Sequence, residues 1–253
     1  EETVGFLEMD LSAPAGTEFS VIGFEYLDPA GVPEYTDGVN NGFRYVAREG
    51  RQAYRARTLT GFRYLEVLVR RPPDSGRVPA AGMPVVIHDL FLHRTVFDSP
   101  LPGRFRCPDA RLNAIWRMSR LTTELCVLDT FVDCPGHEQS FWIGDFRNEA
   151  LVAHYLGGYG DAILRCLELP FDIPDRSVPP KANLPSEPQD VLATWTLLWI
   201  LAMEEYHRYT GDPDRLRPLY EPLKGYVRLF TDQVHPATGL LRSRWPTMPD
   251  WAF

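Results

Sequence analysis

Residues 108–128, PDARLNAIWRMSRLTTELCVL, are where the chain changes its hydrophobic period. Leu112, Ile115, Met118, Leu121, Leu125 and Leu128 recur every three or four positions, the spacing of one helix face, and Asp109 after Pro108 is placed to cap that helix. Upstream the period is two. RTLTGFRYLEVLVRR (57–71) puts Leu65, Val67 and Val69 on one face of a strand, and GMPVVIHDLFLHRTVF (82–97) is a second β-branched and aromatic run. The Pro- and Gly-rich PPDSGRVPAAG (72–82) reads as the turn region between them. Short strands spaced by such turns predict a sandwich. Downstream, the apolar spacing predicts helices over about 148–155, 161–169, 191–209 and 214–234, the last with a stripe of Leu216, Leu219, Leu223, Val227 and Phe230. In TGDPD (210–214), Asp212 is placed as a cap and Pro213 as a first helical residue, and so short a turn makes the flanking helices neighbours. The fold class is therefore mixed β then α, with a β-sandwich segment over 1–100 and helical hairpins over 105–253. GFRY occurs twice, at 42–45 and 61–64, but the flanking residues do not match and no internal repeat is read.

Composition narrows the function classes. The 253 residues are 44 % hydrophobic and 24 % charged, enough for a large core and one or two domains. The net charge is -8, and lysine occurs only at Lys181 and Lys224, so no basic patch is available for a phosphate backbone and no nucleic acid is expected as partner. The apolar run VLATWTLLWILAM (191–203) is shorter than the roughly 20 residues of a membrane span and reads as a buried helix; no membrane partner is expected. Cys107, Cys126, Cys134 and Cys166 lie in apolar or helical contexts and read as reduced thiols, which predicts a cytoplasmic protein. Both ends read as cut, since the first residue is Glu1 and the pattern is still running at Phe253. Cys134 and His137 have metal-like spacing but no second pair, so no metal is expected. The P-loop, G-x-S-x-G and G-x-G-x-x-G patterns are absent.

One run carries chemistry. DCPGHEQSFWIGD (133–145) holds Asp133, Glu138 and Asp145 with no Lys or Arg to neutralise them, and sets Phe141 and Trp142 beside them. A solvated charged face would carry lysines and few rings; acids among aromatics are the composition of a sugar cleft. Glycoside hydrolysis needs one carboxylic acid to protonate the leaving oxygen and a second carboxylate to activate water or attack carbon. Glu138 is the candidate acid, expected to be held protonated by apolar rings and neighbouring acids. Asp133 and Asp145 are candidate acceptors for sugar hydroxyls, and Trp142 a flat face for a pyranose ring. The bland alternatives are a first-turn glutamate for Glu138, an N-cap for Asp133, a Gly-Asp helix start for Asp145 and a core position for Trp142.

The same run resembles the active-site signature of bacterial α-L-rhamnosidases, family 78 of the glycoside hydrolases: Asp-Cys-Pro, two variable residues, Glu-Gln, then Phe-Trp, an apolar residue and Gly-Asp. The similarity extends to HDLFLHRTVFDSPLPGRFRCPDARLNAIWRMSRLT (88–122), RNEALVAHY (147–155) and the YTGD turn (209–212). The resemblance implies part of an (α/α)6 six-hairpin toroid after the sandwich, inverting removal of terminal α-L-rhamnose from a rhamnosyl glycoside or polysaccharide, and no cofactor. It implies Glu138 as catalytic acid, Asp133 and Asp145 lining the sugar pocket, and Trp195 and Trp251 at places where the family presents aromatics to sugar. It puts no counterpart of the catalytic base within 1–253. Glu187, Asp190 and Asp250 match no motif for that role, so these residues alone are expected to hydrolyse negligibly. Rival readings are a six-hairpin glycosidase for another sugar and a non-catalytic carbohydrate-binding module.

Overall fold

The structure, a computed structural model, describes residues 1–34, 41–70, 84–100, 103–173, 175–184 and 191–248. Trp251 lies outside the described residues, as do Glu187, Asp190 and Asp250. The described residues fall into two compact units, one of 1–96 with 134–139 and the other of 97–133 with 140–253.

The first unit is built of strands: β1 (Thr3–Ala13), β2 (Glu18–Phe24), β3 (Tyr26–Leu27), β4 (Pro33–Glu34), β5 (Gly42–Val46), β6 (Gly50–Arg55), β7 (Thr60–Phe62), β8 (Tyr64–Arg70) and β9 (Val86–Arg94). β1 is the centre of one sheet, antiparallel to β6 and β7 along one edge and to β9 along the other. β2 is the centre of a second sheet, between β5 and β8. Both centres alternate inward and outward side chains, the period a half-buried strand requires. Leu7, Met9, Leu11 and Ala13 of β1 meet Phe19 and Val21 of β2 in one core, flanked by Leu65, Val67 and Leu92. Residues of both sheets thus fill a common interior, as in a sandwich.

The second unit contains α1 (Ala110–Leu125), β10 (Phe141–Trp142), α2 (Asp145–Leu156), α3 (Gly160–Glu168), a short 3-10 turn at Leu169–Asp172, β11 (Asn183–Leu184), α4 (Ala193–Thr210) and α5 (Pro213–Thr231). Asp109 caps α1, its Oδ1 accepting the Arg111 N–H at 2.8 Å. Asp212 caps α5 by accepting from Asp214 and Arg215, Pro213 opens that helix, and Gly211 ends α4 in the left-handed region at φ 65°. The turn joins neighbours, since α4 packs against both α2 and α5. Phe131, Phe141 and Phe146 meet edge to face at 5.4 and 5.7 Å, and Trp199, Tyr206 and Tyr226 extend the same core.

Two apolar stripes differ from the sequence expectation. On α1, Leu112, Ile115 and Met118 are 48, 53 and 63 % exposed, and only the C-terminal Leu125 is buried. The helical period is right, but among the described residues this part of the stripe remains open to water. On α5 the buried residues are Tyr226 and Phe230, while Val227 is exposed, because the face turned to α4 runs one residue earlier there.

Candidate active site

The run 133–145 is shared between the two units. Cys134–Gln139 belongs with the β unit, and Asp133 and the residues from Ser140 onward belong with the helical one. The sequence does not announce this division. Its physical basis is close backbone approach within the β unit: a Cβ on Gly61 would lie 2.0 Å from the Pro135 carbonyl oxygen, and one on Gly136 would lie 2.7 Å from Glu25 Oε1. Glycine at both positions lets two backbones touch.

Glu138 stands on this segment. Its N–H donates to Cys134 Sγ at 3.2 Å, and Gln139 Nε2 donates to the Pro135 carbonyl at 2.8 Å, so the turn is closed by its own side chains. Gln139, next to the acid, has φ 52°, and among the described residues it is the one non-glycine with positive φ. Such a backbone costs about 1 kcal/mol or more and is characteristic of functional turns. Glu138 itself is exposed, against the expectation of a carboxyl withdrawn from water among rings. It also lies in a turn and not in the first turn of a helix, and Asp133 caps none.

The other acids are held by the helical unit. Asp133 and Ser140 bond to each other twice, the Asp133 N–H to the Ser140 carbonyl at 3.1 Å and the Ser140 N–H to Asp133 Oδ1 at 2.9 Å. Trp142 is half-buried on β10, paired with Asn183 of β11 and packed against the helical core. Asp145 begins α2, where the helix dipole favours a carboxylate, and its Oδ2 accepts the Trp195 indole N–H at 2.8 Å. Trp195 is 9 % exposed and packed in the core, so what it contributes to the site runs through Asp145.

The structure adds an acid that the motif does not contain. Glu149 follows Asp145 by one turn of α2 and, with Asp133, lines a cleft of about 460 Å³. Burial, then the charges of Asp145 and Asp133, push its carboxyl up to about 9. A sequence signal existed, the i, i+4 spacing from Asp145, but a helix begun at residue 148 leaves Asp145 off it and hides the relation. Among the described residues no three His, Cys, Asp or Glu side chains converge as metal ligands would.

The chemistry on view is a set of carboxyl groups with aromatic neighbours and no cation in the cleft lining, suited to hydroxyl-rich, uncharged molecules. Comparison with known proteins points the same way. Residues 101–252 match the model of the bacterial alpha-L-rhamnosidase 6 hairpin glycosidase domain. No curated protein matches the chain. Among solved structures, the chain resembles the GH78 family rhamnosidase of Bacillus sp. GL1, with 38 % identity and a TM-score of 0.85 over 99 % of this chain and 25 % of that one. It also resembles a rhamnosidase from Klebsiella oxytoca with rhamnose bound, with 21 % identity and a TM-score of 0.79, covering 99 % of this chain and 51 % of that one. A Streptomyces avermitilis alpha-L-rhamnosidase complexed with L-rhamnose matches with 21 % identity and a TM-score of 0.72, over 94 % of this chain and 23 % of that one. The chain thus spans from about a quarter to half of the length of these relatives. With the β-rich part followed by helices, and with the family model covering more than half of its residues, the chain belongs to the bacterial α-L-rhamnosidases of glycoside hydrolase family 78.

Proposed function

We propose that the protein containing this chain removes terminal α-L-rhamnose from glycosides or polysaccharides with inversion, and that Glu138 is its general acid. The observation that carries the reading is the run 133–145, in which three acids and the Phe-Trp pair stand in the family's register inside the segment the family model covers. Glu138 on its strained, exposed turn is accessible to a glycosidic oxygen. Asp133 and Asp145 accept from sugar hydroxyls, and Trp142 offers its face to the ring and its C-methyl group. The helical hairpins form part of a six-hairpin toroid, and the open stripe of Leu112, Ile115 and Met118 on α1 is the kind of face further helices cover.

Nitrophenyl α-L-rhamnoside hydrolysis by the protein at its encoded length tests the assignment. Glu138→Gln is expected to lower kcat/KM by about 10²–10⁴, the usual contribution of a general acid. An unchanged rate removes Glu138 from that role. Proton spectra of the first-formed product should show the β anomer; an α anomer refutes inversion. A different nitrophenyl glycoside turned over faster would reassign the sugar, and rhamnose binding with no turnover would make the protein a carbohydrate-binding module.

A further inference from the structure

The turn that carries Glu138 rests on the β unit through two buried residues, Pro135 and Gly136. Against them lies Gly61, the middle residue of β7, which pairs with the fully buried Val4 of β1 and is thereby fixed in the sheet. The approach is reciprocal. A Cβ on Gly61 would lie 2.0 Å from the Pro135 carbonyl oxygen, and one on Gly136 would lie 2.8 Å from the Gly61 carbonyl oxygen. Both oxygens are also hydrogen-bonded: Pro135 accepts from Gln139 Nε2 at 2.8 Å, and Gly61 accepts from Asn41 Nδ2 at 2.6 Å. Asn41 is in turn tied to β2, its carbonyl accepting the Gly23 N–H at 2.8 Å and its Nδ2 reaching the Gly23 carbonyl at 3.1 Å. A continuous chain of contacts therefore runs from β2 through Asn41 and Gly61 to Pro135 and Gly136. It ends on Gln139, the neighbour of Glu138 with positive φ.

We propose that Asn41 and Gly61 are positioning residues for the general acid: the Asn41 bond fixes the Gly61 peptide, and that peptide fixes where the turn presents the Glu138 carboxyl to the leaving oxygen. The inference rests on the reading of Glu138 as acid and adds to it two residues outside the signature run. Glu138 is exposed, so its place is set by the backbone below it and not by packing around its own carboxyl. Proton transfer needs the donor within about 2.6–3.2 Å of the acceptor, and a misplacement of about 1 Å costs on the order of a hundredfold in rate. What this support protects is proton donation alone. An alkoxide or a phenolate of high pKa leaves only as it is protonated, whereas a dinitrophenolate departs as a stable anion. Loosening the support should therefore be felt in proportion to the leaving group's need for a proton. A loss of folded protein would scale every substrate alike.

Hydrolysis of 2,4-dinitrophenyl, 4-nitrophenyl and phenyl α-L-rhamnosides by the protein at its encoded length is the test. On phenyl rhamnoside, kcat/KM should fall about a hundredfold in Gly61→Ala, whose new methyl group pushes the turn away, and about tenfold in Asn41→Ala. On dinitrophenyl rhamnoside both variants should stay within about threefold of wild type, and L-rhamnose should inhibit them as it inhibits wild type. Glu138→Gln should show the same selectivity in fuller form. Should Gly61→Ala fail to fold, Asn41→Ala, which adds no atom, decides alone. Equal losses on all three substrates, or none, beside a selective Glu138→Gln overturn the inference and leave the acid reading in place. A Glu138→Gln variant without that selectivity overturns the acid reading and this inference with it.

Discussion

Gly144 has no side chain because the Trp195 indole stands where one would be: a Cβ there would lie 2.5 Å from Trp195 Cγ. The same contact aims the indole N–H at Asp145, the next residue, at 2.8 Å. The Gly-Asp pair of the signature is thus one device, a gap for a ring followed by an acceptor for that ring's only donor. Trp195→Phe keeps the ring contact and deletes the bond, leaving a half-buried carboxylate without its indole donor. Denaturant unfolding should show a loss of about 1.5–3 kcal/mol, the range for hydrogen bonds to charged groups, and rhamnose binding should weaken with it. Gly144→Ala should cost more, since the ring cannot be displaced from a filled core without opening a void. Both effects follow from packing that sequence reading cannot see: the motif names Gly144 and Asp145, and nothing in it names a tryptophan fifty residues later.

At the scale of elements, α2 is the hub, packed on α1, α3 and α4. Arg147 ties it to α4, its guanidinium reaching both carboxylate oxygens of Glu205. Both side chains are largely withdrawn from water, so this pair is less screened than the exposed Arg208–Glu204 and Arg217–Asp214 pairs. Arg147→Ala should destabilise the helical unit by about 2–4 kcal/mol, mostly by leaving the Glu205 charge unpaired, and Arg147→Ala with Glu205→Ala should recover part of it in a double-mutant cycle. A double variant that loses the sum of the two single losses would mean that the side chains are uncoupled and the ion pair contributes nothing beyond each residue's own packing. The helices themselves were legible. Asp109, Gly211, Asp212 and Pro213 act in local chemistry, and local chemistry is what a sequence states directly. The start of α2 was not, because Gly144 and Asp145 are poor helix formers and periodicity alone places the helix at residue 148; the dipole and the Trp195 bond place it earlier. The strands β8 and β9 lie within the alternating runs 57–71 and 82–97 and were legible for the same local reason, whereas the docking of 134–139 with the β unit depends on contacts between residues some seventy positions apart, which no local pattern encodes.

Across the whole molecule, each of the two units carries a carboxyl that burial has moved toward neutrality. In the β unit, burial first and then Glu25, through a hydrogen bond and its charge, raise Glu2 to about 7 against the opposing pull of Arg63. In the helical unit Glu149 is held at about 9. A carboxyl whose folded value exceeds its unfolded value binds its proton more tightly when folded, so stability is complete below the unfolded value and is lost as pH rises toward the folded one. The windows therefore differ: about 4.5 to 7 for the Glu2 contribution and about 4.5 to 9 for Glu149. Of these two contributions, between pH 7 and 9 Glu149 in the helical unit is the one still to be lost, at up to about 1.4 kcal/mol per pH unit. Hydrogen-exchange protection factors, which remove the intrinsic pH dependence of exchange, should accordingly fall over that interval in α2, α3 and α4 and change little in β1 and β2. In Glu149→Gln, protection of the helices should become nearly independent of pH, while Glu2→Gln should flatten only the strands and only below pH 7. A uniform loss of protection in both units, unaltered by Glu149→Gln, would attribute the alkaline weakening to the net charge of -8 and its growth with pH instead of to this one buried carboxyl.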